Sequence, residues 1–273
     1  MNFPKIAAID IDGTLLTPEK NISNGNRAGI ERYIAAGGLV ILASGRMYPS
    51  IHVYAEQLNL PKSNIILSYN GAVAKTVGGQ TMYLKPVPVE YGAEVVAYSS
   101  KNHLHLNYYF DDSLYVSELN QWSDLYLKRS GSSSIPVGDL STLTNFAPTK
   151  MIIIDHATKI VELEAYFKNR YKGILHVTKT DDEYLEFMAL GVDKGSGLAW
   201  VSQKLGVDQS AVSAFGDSYN DVEMIQWAAN GVAMSNGRPA AIVAATIVAD
   251  NTTWTGVGDT LTTFIETSDN YGG

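Results

Sequence analysis

The segment KIAAIDIDGTLL, from Lys5 to Leu16, constrains this chain more than any other stretch. It reads as an apolar strand, Ile6 to Ile9, that ends by presenting two carboxylates, Asp10 and Asp12. Side chains two apart on an extended chain point the same way, so the two acids are expected to converge. Like charges at such range resist joint ionisation and raise at least one pKa, unless a cation sits between them or one stays protonated. Either outcome implies chemistry at the strand end.

The surrounding grammar is that of a parallel α/β sheet. Strands are predicted at Ile6 to Ile9, Leu39 to Ala43 and Ile65 to Leu67, with a helix in SNGNRAGIERYIAAGG that stops at Gly37 and Gly38. The pattern returns from about Val212 in VSAFGD, GVAM and TIVAD, separated by the helical SYNDVEMIQWAAN and GRPAAIVAA. Between about Leu84 and Met188 the text differs. Two helix candidates, EYGAEVVAYSSKN and TKIVELEAYFKNRY, are each followed by paired strand-like runs, LHLNYYF with SLYVSEL and ILHVTKT with EYLEFMA. Turns at Asp111-Asp112 and Asp181-Asp182 would make hairpins of both pairs. This predicts an α+β insertion built on a repeated helix-hairpin unit, with RSGSSSIPVGD as its loop and TSDNYGG as a fraying terminus.

Bulk properties exclude several classes. A chain of 273 residues, 45% hydrophobic and 18% charged, can bury a substantial core. A net charge of -8 argues against nucleic acid or anionic membrane as partner. The apolar runs are strand-sized, Asp10 and Asp12 interrupt the first of them, and a cytoplasmic location is the default expectation. With no cysteine, disulfides and thiolate nucleophiles or metal sites are out.

In open α/β sheets, ligands collect beyond the carboxyl ends of the strands. Four such places are polar: Asp10 to Thr14, Ser44-Gly45-Arg46, Asn70-Gly71, and Gly216 to Asp221. Asp10, Asp12 and Asp217 offer hard oxygen ligands with no histidine nearby in sequence, which selects Mg2+ over zinc or copper. Ser44, the surroundings of Gly45 and Asn70, and Lys194 in VDKGSGLAW suit a phosphate group as hydroxyl, amide and cationic partners. One carboxylate can attack phosphorus while a second protonates the leaving oxygen and later deprotonates the attacking water.

Together, DIDGTLL, the Ser-Gly-Arg after the second strand, the lysine of DKGSGL and GDSYND resemble the four ordered motifs of the haloacid dehalogenase-like phosphatases. The middle insertion and YNGA at Tyr69 to Ala72 resemble the Cof-type subfamily of sugar-phosphate phosphatases. The resemblance implies a doubly wound, Rossmann-like catalytic core at 1–83 and 189–273 and an α+β cap at 84–188 that governs specificity. It makes Asp10 the nucleophile and Asp12 the general acid/base. Asp10, the Asp12 carbonyl and Asp217 would hold Mg2+, with Asn220 close by and Asp221 supporting Lys194. Ser44, Gly45, Arg46 and Lys194 would hold the phosphate, with Asn70 and Gly71 near the substrate. Ser44 stands where the family usually has threonine, and GVAMSNGRP replaces GVAMGNA, which leaves the loop near Ser235 open.

The expectation is a Mg2+-dependent phosphomonoester hydrolase acting on small phosphorylated metabolites through an aspartyl phosphate. A phosphomutase on the same core, a phospho-acceptor domain and a silent sugar-phosphate binder are the alternatives. Taken singly, Asp217 and Asp221 would cap a helix. His103 and His105, alternate residues on a strand, read as surface or specificity residues before they read as a metal pair, and Tyr108, Tyr109 and Phe110 as packing.

Overall fold

The computed structural model describes residues 3–269. The chain divides into two compact units, Met1–Tyr83 with Asp193–Gly273, and Leu84–Val192. The first unit opens with β1 (Ile6–Asp10), α1 (Asn24–Ala35), β2 (Leu39–Ala43), α2 (Tyr48–Gln57), β3 (Ile65–Ser68), β4 (Val73–Thr76) and β5 (Thr81–Leu84). Strands β1, β2 and β3 run parallel in register Ala8↔Ile41↔Ile65-type pairing, and β4 turns back antiparallel to β3. The sequence Asn70-Gly71 therefore serves as a hairpin connection as well as a site loop.

The second unit holds α3 (Val89–Lys101), β6 (His105–Phe110), β7 (Ser113–Val116), α4 (Gln121–Ser130), β8 (Ile135–Pro136), β9 (Lys150–Ile154), α5 (Ala157–Arg170), β10 (Leu175–Asp181) and β11 (Tyr184–Ala189). Its six strands lie in the order β10-β11-β9-β6-β7-β8. Both expected hairpins form. The first turns on Asp111 and Asp112, which both adopt left-handed φ, as a tight two-residue turn requires. The second turns one residue later than expected, on Asp182-Glu183, because a bulge between Lys179 and Asp181 shifts the register. The expected loop RSGSSSIPVGD contains a short strand, since Ile135 and Pro136 pair with β7. Because β11 keeps pairing through Ala189, the return to the first unit falls at Asp193 and not at residue 189. Val95, Val96, Leu106, Tyr108, Ile153, Ile160, Leu163, Phe167 and Phe187 form this unit's core.

The first unit then resumes with α6 (Lys194–Leu205), β12 (Val212–Gly216), α7 (Val222–Trp227), β13 (Asn230–Met234), α8 (Pro239–Ala244), β14 (Ile247–Ala249) and α9 (Gly256–Asp269). Its sheet order is β14-β13-β12-β1-β2-β3-β4-β5, with β12 against β1. The strands are apolar on both faces, the mark of a sheet covered on two sides. Ala7, Ile9, Val40, Leu42 and Phe215 face Ile30, Ile51, Leu261 and Phe264 of α1, α2 and α9. Ile6, Ala8, Ile41, Val212 and Ala214 face Leu198, Val201 and Met224 of α6 and α7. The core is thus doubly wound, and β1 lies at its centre. Of the expected fraying terminus, Thr267 and Ser268 belong to α9 and residues 270–273 lie outside the described residues. Among the described residues no helix is long and apolar enough to cross a membrane.

Candidate active site

Asp10 is the last residue of the central strand and is buried. Its Oδ1 accepts a hydrogen bond from Lys194 Nζ at 2.5 Å, and the same ammonium donates to Asp221 Oδ1 at 2.6 Å. Lys194 opens α6, next to the N-cap Asp193, and is completely buried. Two forces oppose a cation there. Burial alone would discharge the amine, and a helix N-terminus repels positive charge. Asp10 and Asp221 outweigh both and hold the lysine charged, its pKa raised above the ordinary value.

Asp221 is fixed from the other side as well. Its Oδ2 accepts the backbone N–H groups of Asp217 and Ser218 at 3.0 and 2.9 Å. Gly216 allows this, because a Cβ there would lie 2.4 Å from Asp221 Cβ. Asp217 accepts from Thr14 Oγ1 at 2.8 Å. Carboxylate oxygens of Asp10, Asp217 and Asp221 all lie within 4.8 Å of one another. Burial first, then the charge of Asp221, raises the Asp10 pKa well above the usual carboxylate range. Burial likewise raises Asp217 to about 6, against the Thr14 hydrogen bond.

The expected convergence of Asp10 with Asp12 is corrected here. Strand β1 ends at Asp10, so period-two alternation does not reach Asp12, and the crowding of acids comes from Asp217 and Asp221. Asp12 instead faces cations. Arg46 grips it with a fork, Nε to Oδ2 at 2.7 Å and Nη2 to Oδ1 at 2.5 Å, and Lys20 Nζ reaches Oδ1 at 2.7 Å. Burial pushes the Asp12 carboxyl up, but the hydrogen bonds from Arg46 and Lys20 outweigh it and hold the pKa below its usual value.

The remaining expected residues form a connected rim. Ser44 is buried, and its Oγ accepts the Arg46 N–H at 3.3 Å. The Asn70 N–H donates to the Ser44 carbonyl at 2.9 Å and the Tyr69 N–H to the Arg46 carbonyl at 3.0 Å. Asn220 Nδ2 donates to Asn70 Oδ1 at 3.0 Å. Tyr69, Asn70 and Gly71 all take left-handed φ, which strains the first two and which glycine accepts. Gly71 is required because a Cβ would lie 2.4 Å from the Asp193 carbonyl, so this loop rests directly on the start of α6.

Sequence reading missed three participants. Thr14 lies inside the first motif, where it was given no role of its own, and Lys20 lies beside it without a signal. Asn236 Nδ2 donates to the Gly13 carbonyl at 3.0 Å, and Asn251 Nδ2 donates to Asn236 Oδ1 at 2.9 Å. The variant loop SNGRP thereby braces the first motif, with the Arg238 N–H donating to the Asp217 carbonyl at 2.7 Å. His103 and His105 are not gathered with other ligands: His105 is buried and its Nε2 lies 3.1 Å from Asn107 Oδ1. Among the described residues the only metal-competent group of three is Asp10, Asp217 and Asp221. Tyr108 and Tyr109 are packing residues, fully buried in the second unit.

The haloacid dehalogenase-like hydrolase family matches residues 7–261. The 5-amino-6-(5-phospho-D-ribitylamino)uracil phosphatase YitU of Bacillus subtilis is 27% identical over 269 residues, 96% of this chain and 97% of its own length. The HMP-PP phosphatase of Serratia proteamaculans is 26% identical over 243 residues, 86% of this chain and 85% of its own. The crystal structure of TM0651 from Thermotoga maritima superposes with a TM-score of 0.89 at 28% identity, covering 96% of this chain and 97% of that one. A haloacid dehalogenase-like hydrolase from Bacteroides thetaiotaomicron gives 0.86 at 28% identity, covering 95% and 99%. A family match running from residue 7 to residue 261, with relatives and solved structures aligned over most of both chains, makes this chain a member of the haloacid dehalogenase-like hydrolases, of Cof type, and a phosphatase.

Proposed function

We propose that the chain is a Mg2+-dependent phosphomonoester hydrolase for small phosphorylated metabolites, sugar phosphates among them, working through an aspartyl phosphate on Asp10. The observation that carries it is the pairing of a buried, lysine-bonded Asp10 with an Asp12 held separately by Arg46. The named substrates of YitU and the HMP-PP phosphatase, both small phosphorylated compounds, support the substrate class.

The donor set fits magnesium. It offers oxygen donors only, and burial together with the neighbouring Asp221 raises the pKa values of Asp10 and Asp217, a penalty on their charged forms that a bound cation would offset. Asp10, Asp217 and the Asp12 carbonyl would hold the ion. Both oxygens of Asp221 are already engaged by Lys194 and two backbone N–H groups, so its role is to position Lys194. When bound, the metal neutralises the acids and draws charge from the phosphoryl oxygens.

In the first half-reaction an Asp10 oxygen bonds to phosphorus, the ester P–O bond breaks, and Asp12 gives its proton to the leaving oxygen. In the second, Asp12 takes a proton from water as the water oxygen attacks phosphorus, and the bond to Asp10 breaks to release phosphate. Asp12 needs its proton for the first step, and here two cations hold it ionised. A phosphate dianion competes for those cations and so frees Asp12 to be protonated. Ser44, Gly45, Arg46 and Lys194 hold the phosphate, with Asn70, Gly71 and Asn220 at its rim. To the inserted unit, from Leu84 to Val192, we assign the role of cap and substrate selection.

A phosphate-release screen across phosphorylated metabolites, with and without Mg2+, tests reaction, metal and substrate class together. A long-lived phosphoprotein without phosphate release, or isomer conversion without free phosphate, would replace this reading by a phospho-acceptor or a mutase.

A further inference from the structure

The turn after Thr14 is built to bring one cation back to Asp12. The Thr17 N–H donates to the Asn21 carbonyl and the Lys20 N–H to the Thr17 carbonyl, each at 2.9 Å. Lys20 closes this turn with φ 63, a left-handed conformation that costs a lysine energy and that glycine or asparagine would take more readily. From there its Nζ reaches Asp12 Oδ1 at 2.7 Å.

This second cation is not the sole partner of Asp12. The Arg46 fork already supplies a donor to each carboxylate oxygen, and its side chain is 25% exposed against 58% for Lys20. The local charges are also uneven. Around Asp10, three carboxylates face one lysine, a deficit that a divalent ion would cancel. Around Asp12, two cations meet the carboxylate, and Lys20 is the more exposed of them. In the reaction proposed above, Asp12 marks the leaving-group side of the ester.

We propose that Lys20 is a specificity residue that binds a second anionic group, carboxylate or phosphate, carried beside the scissile ester on the leaving group. The inference rests on the phosphomonoester reading, since that reading places the leaving oxygen at Asp12. A substrate with such a group takes Lys20 from Asp12 while its scissile phosphate engages Arg46. A neutral phosphorylated polyol has nothing to offer it.

The test is calorimetric binding, in Mg2+, to the non-turning-over Asp10→Asn protein, with and without Lys20→Met or Lys20→Arg. The probes are 3-phosphoglycerate, 2,3-bisphosphoglycerate and glycerol 3-phosphate, which present a carboxylate, a carboxylate plus a second phosphate, and neither. Lys20→Met is expected to weaken the first two by about tenfold relative to glycerol 3-phosphate, the range of a charged hydrogen bond, and Lys20→Arg to retain most of the preference. Taking the ratio cancels any effect of Lys20 on Asp12 that all substrates share. If both probes respond, the recognised group is the carboxylate they share; if only the bisphosphate does, it is the second phosphate. An unchanged ratio in Lys20→Met overturns the assignment. Phosphate release from p-nitrophenyl phosphate by the unmodified protein tests the phosphatase reading separately.

Discussion

Lys194 Nζ lies 2.5 Å from Asp10 Oδ1, and both side chains are closed to solvent, at 0% and 7% exposure. The lysine enters from the first turn of α6 and the aspartate from the end of β1, 184 residues apart in sequence. A buried ammonium survives there only because Asp10 and Asp221 share it. The pair therefore joins the two halves of the core sheet's chain and sets the charge around Asp10 at once.

Replacing Lys194 by Met should be costly for the fold as well as for activity. It leaves Asp10 and Asp221 buried without their cation, a loss of about 3–5 kcal/mol for a broken buried pair. Urea denaturation at neutral pH should show the midpoint falling accordingly. Adding Asp221→Asn to the same protein should recover part of the loss, because it removes one of the stranded charges. Full stability in the single variant would mean that Lys194 does not hold these carboxylates together.

Much of this arrangement was legible before any coordinates. The central strands are short apolar runs bounded by glycine and acids, and the pattern announces them. Strand Lys150–Ile154 and helix Gln121–Ser130 were passed over for different reasons. KMIII follows a proline and precedes a polar turn, without a partner of obvious hairpin spacing, and it pairs with β6 and β11 across long loops. The helix QWSDLYLKRS is polar on most of its surface, yet its signals were present: Asn120 and Ser123 form a capping box and Gly131 closes the end in the left-handed region. Asn236 and Asn251 could not be read at all. They meet beneath Gly13 only because β13 and β14 pair, so their role exists in the folded state alone.

Asp10→Asn should abolish phosphate release while leaving a folded protein. The amide is a poor nucleophile and cannot form the acyl phosphate, yet it is isosteric and relieves a crowded cluster of acids. Turnover is to be followed by phosphate release in excess Mg2+, and folding by thermal denaturation. Retained turnover would remove Asp10 from the mechanism.

Gly13→Ala should damage the site without touching an ionisable group. Gly13 has φ +87, and a Cβ there would fall 2.4 Å from Asp217 Oδ2. The backbone term alone is about 1–2 kcal/mol. The clash adds to it by pushing the Asp217 carboxylate away from Thr14 and from the other acids. The expected result is a moderate drop in Tm with a larger loss of Mg2+ affinity, measured by calorimetry. An unchanged Mg2+ affinity would show that Asp217 takes no part in holding the ion.

The raised pKa of Asp217, about 6, gives the metal response a definite pH dependence. Its unfolded value is about 3.9, so between these two values the folded state holds a proton that the unfolded state has released. Stability from this group is therefore full below the unfolded value and is lost as pH rises through about 6; Asp10, raised by burial and by Asp221, acts in the same direction. Magnesium reverses the loss, because it binds the ionised carboxylates and not the acids. The rise in Tm on adding Mg2+ should accordingly be small at about pH 5 and grow as pH rises through about 6. Asp217→Asn should flatten that curve, whereas Asp12 contributes little to it, being held ionised by Arg46 and Lys20 across the same range. Thermal denaturation in paired buffers with and without Mg2+ measures it. A Mg2+ shift of equal size at pH values of about 5 and about 8 would place the ion away from Asp217 and Asp10.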